Sequence, residues 1–172
     1  KDNVYDLVED FYAHDEGWNT LLRQEYAEGF LRMEAWKGKK NSDLYRSWDN
    51  LTMLCLYLGS AETFLGDMNA DDFIDCIAWC GRNISEFTPD YKNTQDFLET
   101  CDGLFKYLKG KNAISNDTVP GTAAEILLQE GKMNIILPDG SFDEANAERA
   151  WNATPDIPAK IFLNIGERLQ EL

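Results

Sequence analysis

NSDLYRSWDNLTMLCLYLG, residues 41–59, is the stretch on which the fold turns. Leu44, Trp48, Leu51, Cys55 and Leu58 recur at three- and four-residue intervals, the period of one face of an α-helix. Leu54, Leu56 and Tyr57 widen that stripe until it nearly encircles the rod, so the pattern predicts a central helix buried on several sides. Asn41 and Ser42 are residue types that cap a helix start, and Gly59 is one that ends it.

On the N-terminal side, Val4, Leu7, Val8 and Phe11 share a face opposite Asp6, Glu9 and Asp10, which predicts a short amphipathic helix over 2–12. A second helix is expected over 18–36, where Trp18, Leu21, Leu22, Tyr26, Phe30 and Met33 keep the helical interval across Gly29. On the C-terminal side, Asn69 followed by Asp71 and Asp72 predicts a helix start that continues through Phe73, Ile77, Cys80 and Ile84, with Gly81 near its end. Thr88 as cap and Pro89 at the first helical position then predict a long helix whose seam of Tyr91, Thr94, Leu98, Cys101, Phe105 and Leu108 is closed by Gly110.

Residues 113–121 turn polar, a boundary between a helical bundle over 1–112 and a C-terminal extension over 113–172 packed on the same core. The extension reads as a helix at 122–130, an apolar run from Met133 to Leu137, a turn at Pro138-Asp139-Gly140, and helices near 143–151 and 157–171. The run and its return through Ser141 and Phe142 predict a small β-hairpin near residues 132–142. The expected fold is therefore mainly α: an irregular bundle of about seven helices with one hairpin.

Composition narrows the functional classes. The 172 residues hold 16 basic and 31 acidic side chains, a net charge of −15, and 21 aromatics. That many large side chains imply a core, and the negative field disfavours direct contact with phosphate backbones or anionic membranes. No stretch approaches the ~18 apolar residues of a membrane span. The N-terminus lacks the basic-then-apolar pattern of a signal peptide, so a cytoplasmic location is expected.

Two constellations could carry a metal. Cys76 and Cys80 share a helix face and Cys55 and Cys101 lie on buried seams, so four thiolates could in principle meet around zinc. Free cysteines far from turns behave as small buried hydrophobes, and no cofactor is expected from them. The stretch 67–75 places oxygen ligands at Asp67, Asn69, Asp71 and Asp75, as the first part of a calcium loop would. Asp72 stands where such a loop needs Gly, and Ala78 where it needs a bidentate acid, which favours an acidic helix N-terminus instead. His14, the only histidine, ends the first helix, and no nucleophile elbow or phosphate-binding Gly loop is present.

Residues 42–112 also have a rhythm that resembles the helical core-binding domain of tyrosine recombinases. One helix is followed by Met68-Asn69-Ala70-Asp71-Asp72-Phe73 opening a second, and a third ends at Leu104-Phe105-Lys106-Tyr107-Leu108 before a Lys/Gly/Asn loop. The resemblance implies a basic DNA-facing surface, for which Lys37, Lys39, Lys40, Lys106, Lys109 and Lys111 would have to converge. The tyrosine-nucleophile catalytic domain of that family cannot be mapped onto this chain.

The residues therefore favour a non-enzymatic protein-interaction or scaffold domain with a protein partner, because Trp, Tyr and Met are enriched at interfaces. Trp36 and Trp151, at segment ends, are the tryptophans expected to be exposed. The alternatives are a nucleic-acid-related module, either a DNA mimic or the recombinase-like domain, and a carboxylate- or metal-dependent enzyme.

Overall fold

The apolar interval of residues 41–59 does form the longest helix of the computed structural model, which describes residues 3–14 and 17–129. Among the described residues the chain is mainly helical and without strands: α1 (Val4–His14), α2 (Trp18–Leu21), α3 (Gln24–Trp36), α4 (Asn41–Ala61), α5 (Ala70–Asn83), α6 (Tyr91–Gly110) and α7 (Val119–Gln129), with a 3-10 turn at Leu65–Asp67. The hairpin near 132–142 and the helices near 143–151 and 157–171 lie outside the described residues. No described helix is long and apolar enough to cross a membrane.

The chain divides into two compact units, each non-contiguous in sequence. The first comprises Lys1–Asp67 and Gly103–Asp117; the second comprises Met68–Asp102 and the chain from Thr118. Helix α6 supplies its first twelve residues to the second unit and the remainder to the first.

In the first unit α1, α2 and α3 pack on α4. Leu51, Leu54, Cys55 and Leu58 on α4 are fully enclosed, joined by Phe30 and Leu31 from α3 and by Leu104 and Phe105 from α6. Each such large side chain contributes roughly 1.5–3 kcal/mol by leaving water. Leu56 remains at the surface, so the stripe does not quite close around α4. An aromatic cluster ties α1 to its neighbours, with the Phe11 ring stacked on Trp18 at 4.8 Å and edge-on to Trp48 at 5.2 Å.

The ends of several elements depart from the sequence expectation. The helix expected over 18–36 is broken at Leu22, whose backbone is extended and whose carbonyl accepts the buried Tyr12 hydroxyl. The Asn19 carboxamide then accepts the Gln24 N–H at 2.9 Å, satisfying a donor at the new helix start. Helix α4 begins without a side-chain cap from Asn41 or Ser42, and it runs past Gly59 to end at Glu62 in the left-handed conformation (φ 54°).

Helix α6 is capped by Asp90, whose carboxylate accepts the Asn93 N–H at 2.8 Å, and not by Thr88. Pro89 lies outside the helix, buried against α5 so tightly that a Cβ on Gly81 would come within 2.7 Å of its ring. That close approach, rather than helix termination, accounts for Gly81, since α5 continues to Asn83. Finally α7 starts at Val119, three residues ahead of the expected 122.

The second unit is built on the apolar face of α5. Phe73, Ile74, Ile77 and Cys80 are buried there, α7 packs against α5, and Phe87 meets Phe97 at 6.5 Å. The four residues that most depended on helical spacing, Leu51, Cys55, Leu98 and Phe105, are all buried.

Candidate functional site

The residues that could have formed a calcium loop have other roles. Asn69 is the N-cap of α5: its side-chain oxygen accepts the Asp72 N–H at 2.9 Å, and the Asp72 carboxylate accepts the Asn69 N–H at 2.8 Å. This reciprocal capping box occupies the oxygen that a cation would need and stabilises the helix start by about 1 kcal/mol. Asp67 belongs to the 3-10 turn, Asp71 is exposed in the first turn of α5, and Asp75 is half-buried further along it. Among the described residues no group of three or more His, Cys, Asp or Glu is placed to hold a metal ion.

None of the four cysteines is in a disulfide, and all four are buried. Cys76 and Cys80 are hydrogen-bonded partners on α5 with Cys101 nearby, and burial pushes the Cys76 thiol well above its ordinary value. Cys55 belongs to the first unit and is pushed up to about 12 by loss of hydration. Such thiols stay protonated at neutral pH and are poor ligands and nucleophiles. His14 is exposed and takes its Nδ1 contact from the Asp10 carbonyl at 2.8 Å, which raises its pKa. Asp49 on α4 is held above its ordinary value by desolvation, but it lines neither groove described below.

Shallow grooves lined by described residues include one in each unit. In the first unit, a groove of about 190 Å³ is lined by Leu21, Leu22, Tyr26, Leu65, Leu108 and Ile114, with Phe64 at its edge 60% exposed. Arg23 covers one side, over the Tyr26 ring at 5.4 Å and paired with Glu25.

In the second unit, a groove of about 220 Å³ runs between α6 and α7. Leu98, Pro120, Gly121 and Ala124 form its apolar part, and Gln95, Glu99 and Asp102 form its rim. The rim follows from helical geometry: residues 95, 99 and 102 stand four and three apart, hence on one side of α6. Gln95 Nε2 lies 3.5 Å from Glu99 Oε1, and Asp102 Oδ1 lies 3.7 Å from where a Cβ on Gly121 would be. The small residues of α7 leave the hollow open, and the carboxylates give it a negative edge.

Charge is unequally shared. The described residues of the second unit, 68–102 and 118–129, hold nine acidic and two basic side chains, a net of −7. Those of the first hold eleven and nine, a net of −2. All six lysines that a basic surface would need lie in the first unit. Lys39 is 3.1 Å from Glu34, Lys109 is 3.8 Å from Asp117, and Lys111 lies over the Tyr107 ring.

The linear sequence did not disclose the α6–α7 groove, because its two walls come from segments some twenty residues apart. The three-residue spacing of Asp96, Glu99 and Asp102 was the available signal. Trp36, expected to be exposed, is 90% exposed, while Trp151 lies outside the described residues. Compared with models of protein families, with curated proteins and with solved structures, the chain finds no match.

Proposed function

We propose that this chain is a protein-interaction module and that the α6–α7 groove is its contact site. The observation that carries the reading is an apolar hollow of Leu98, Pro120, Gly121 and Ala124 bordered by the polar rim of Gln95, Glu99 and Asp102. An apolar centre within a polar rim is the usual anatomy of a protein contact surface. Four cysteines with no disulfide among them accord with a reducing, cytoplasmic setting.

The test places a photoreactive amino acid at Gln95 and irradiates the full chain in extract of its source cells. A discrete cross-linked partner is expected, and the purified partner should bind wild type but lose at least about tenfold in affinity for Ala124→Trp, which fills the hollow. Identical yields from wild type and Ala124→Trp, with unchanged thermal unfolding, would remove the groove from the function.

A second reading has one observation in its favour. Asp96, Glu99 and Asp102 succeed one another at three-residue intervals on α6, a row of carboxylates such as a nucleic-acid mimic presents to a basic protein. Under that reading Ala124→Trp leaves partner binding intact, and duplex DNA competes for the same partner.

A further inference from the structure

We infer that the groove of the first unit is a self-association surface, in which Phe64 of one copy enters the hollow of a second copy and receives that copy's Phe64 in turn. This contact is separate from the α6–α7 groove and does not rest on it.

Exposure makes the first case. Phe64 is 60% exposed and, with Trp36, is one of the two large apolar side chains that stand furthest into water among the described residues. It lies just ahead of the 3-10 turn, at the edge of a hollow whose floor of Leu22, Leu65 and Leu108 is already packed. The walls still offer surface, since Leu21, Tyr26 and Ile114 are half-buried and Ala113 is exposed. A ring entering there removes apolar surface from water on both sides of the contact.

Size and symmetry make the second. At about 190 Å³ the hollow is smaller than the roughly 300–1,000 Å³ of sites that enclose cofactors or drug-sized ligands, and it suits one or two side chains. Knob and hole lie on one patch of one unit, as a two-fold contact requires, because each copy must present what the other receives. Trp36 meets no such condition: it ends α3, about 15 Å by helical rise from Tyr26 at the groove.

Charge selects the occupant. Two copies of a chain of net charge −15 repel wherever carboxylates face one another. The described residues lining this groove include no carboxylate, and their charged side chain, Arg23, is already engaged by Glu25 and the Tyr26 ring. The described part of the surrounding unit carries −2, against −7 for the other, so copies approach here with the least opposition. A charged foreign segment finds no unpaired charge in the lining, whereas a neutral aromatic knob does fit, and this chain carries one. The contact is small beside the roughly 1,200–2,000 Å² buried in stable complexes, so the dimer forms in concentrated solution.

The experiment measures the mass of the full chain by sedimentation equilibrium. Mass is expected to rise from monomer towards dimer between about 10 and 500 µM, and to rise further when sodium chloride is taken from about 50 to 500 mM. Phe64→Glu should hold the chain monomeric throughout, and so should Ala113→Glu, a second variant at an exposed wall position. Trp36→Ser should associate as wild type does, with thermal unfolding as the check on folding in all three. Benzoylphenylalanine in place of Phe64, in a mixture of light and heavy isotope-labelled chains, should cross-link different copies at peptides carrying Leu21, Tyr26 or Ile114.

A monomeric mass at every concentration overturns the inference. So does association that survives in folded Phe64→Glu or Ala113→Glu, or that Trp36→Ser removes. Cross-links between copies that fall outside the groove overturn it as well.

Discussion

Cys55 shows what enclosure does to a single side chain. Its thiol has no water around it, and its ordinary value of 9.0 is raised to about 12. The unfolded chain sheds this proton near pH 9, whereas the folded protein keeps it to about pH 12. The resulting stabilisation is complete below pH 9 and is lost as pH climbs towards 12, at about 1.4 kcal/mol per pH unit. Cys76 and Tyr12, also raised by burial, act in the same sense above their own ordinary values. Urea midpoints are expected to be level between about pH 7.5 and 8.5 and to fall steadily by pH 10, with a shallower fall in Cys55→Ala. A midpoint unchanged across that range would mean that the thiol ionises freely in the folded state.

Among the elements, α3 meets α6 through a glycine. A Cβ on Gly29 would overlap the Tyr107 hydroxyl and lie 2.9 Å from the ring carbon bearing it, and Phe30 and Tyr107 already touch edge-on at 6.3 Å. Alanine in mid-helix normally adds about 1 kcal/mol of helix stability over glycine. Here the clash should outweigh that gain, so Gly29→Ala is expected to destabilise by about 1–2 kcal/mol in thermal or urea unfolding. In a Tyr107→Leu background the same substitution should turn stabilising. Failure of the sign to change would show that some other neighbour requires the glycine.

Gly29 also marks the limit of what sequence made legible. The long apolar seams of α4 and α6 declared themselves because burial on a helix has a fixed local period. The break at Leu22 did not, because its cause is the Tyr12 hydroxyl ten residues away. The cap at Asp90 was concealed by Thr88 and Pro89, a plausible start whose proline packs on α5 instead. At the candidate site, Leu98 was legible as a buried position, but the hollow beside it depends on small residues of α7 that have no periodic signature.

For the molecule as a whole, a net charge of −15 means that like charges repel within the folded state more than in the expanded chain. The ion pairs of the first unit, such as Arg32 with Glu28 and Arg46 with Asp43, are long, at 3.7 and 3.9 Å, with their arginines in solvent, and stabilise little. Screening should therefore relieve more repulsion than attraction. Raising sodium chloride from about 20 to 200 mM is expected to lift the thermal midpoint by several degrees, as the Debye length shrinks below the spacing of surface carboxylates. A midpoint that drops on adding salt would show that attraction dominates.

Because the chain crosses from one unit to the other after Asp67, after Asp102 and after Asp117, neither unit corresponds to an uninterrupted stretch of gene. A fragment stopping at residue 112 carries α5 without α7, the helix that packs on it, and so leaves part of an apolar face bare. Recombination at a single breakpoint inside residues 68–117 would divide both units at once. A homologous exchange that replaced one unit and kept the other would need three junctions, one of them inside α6.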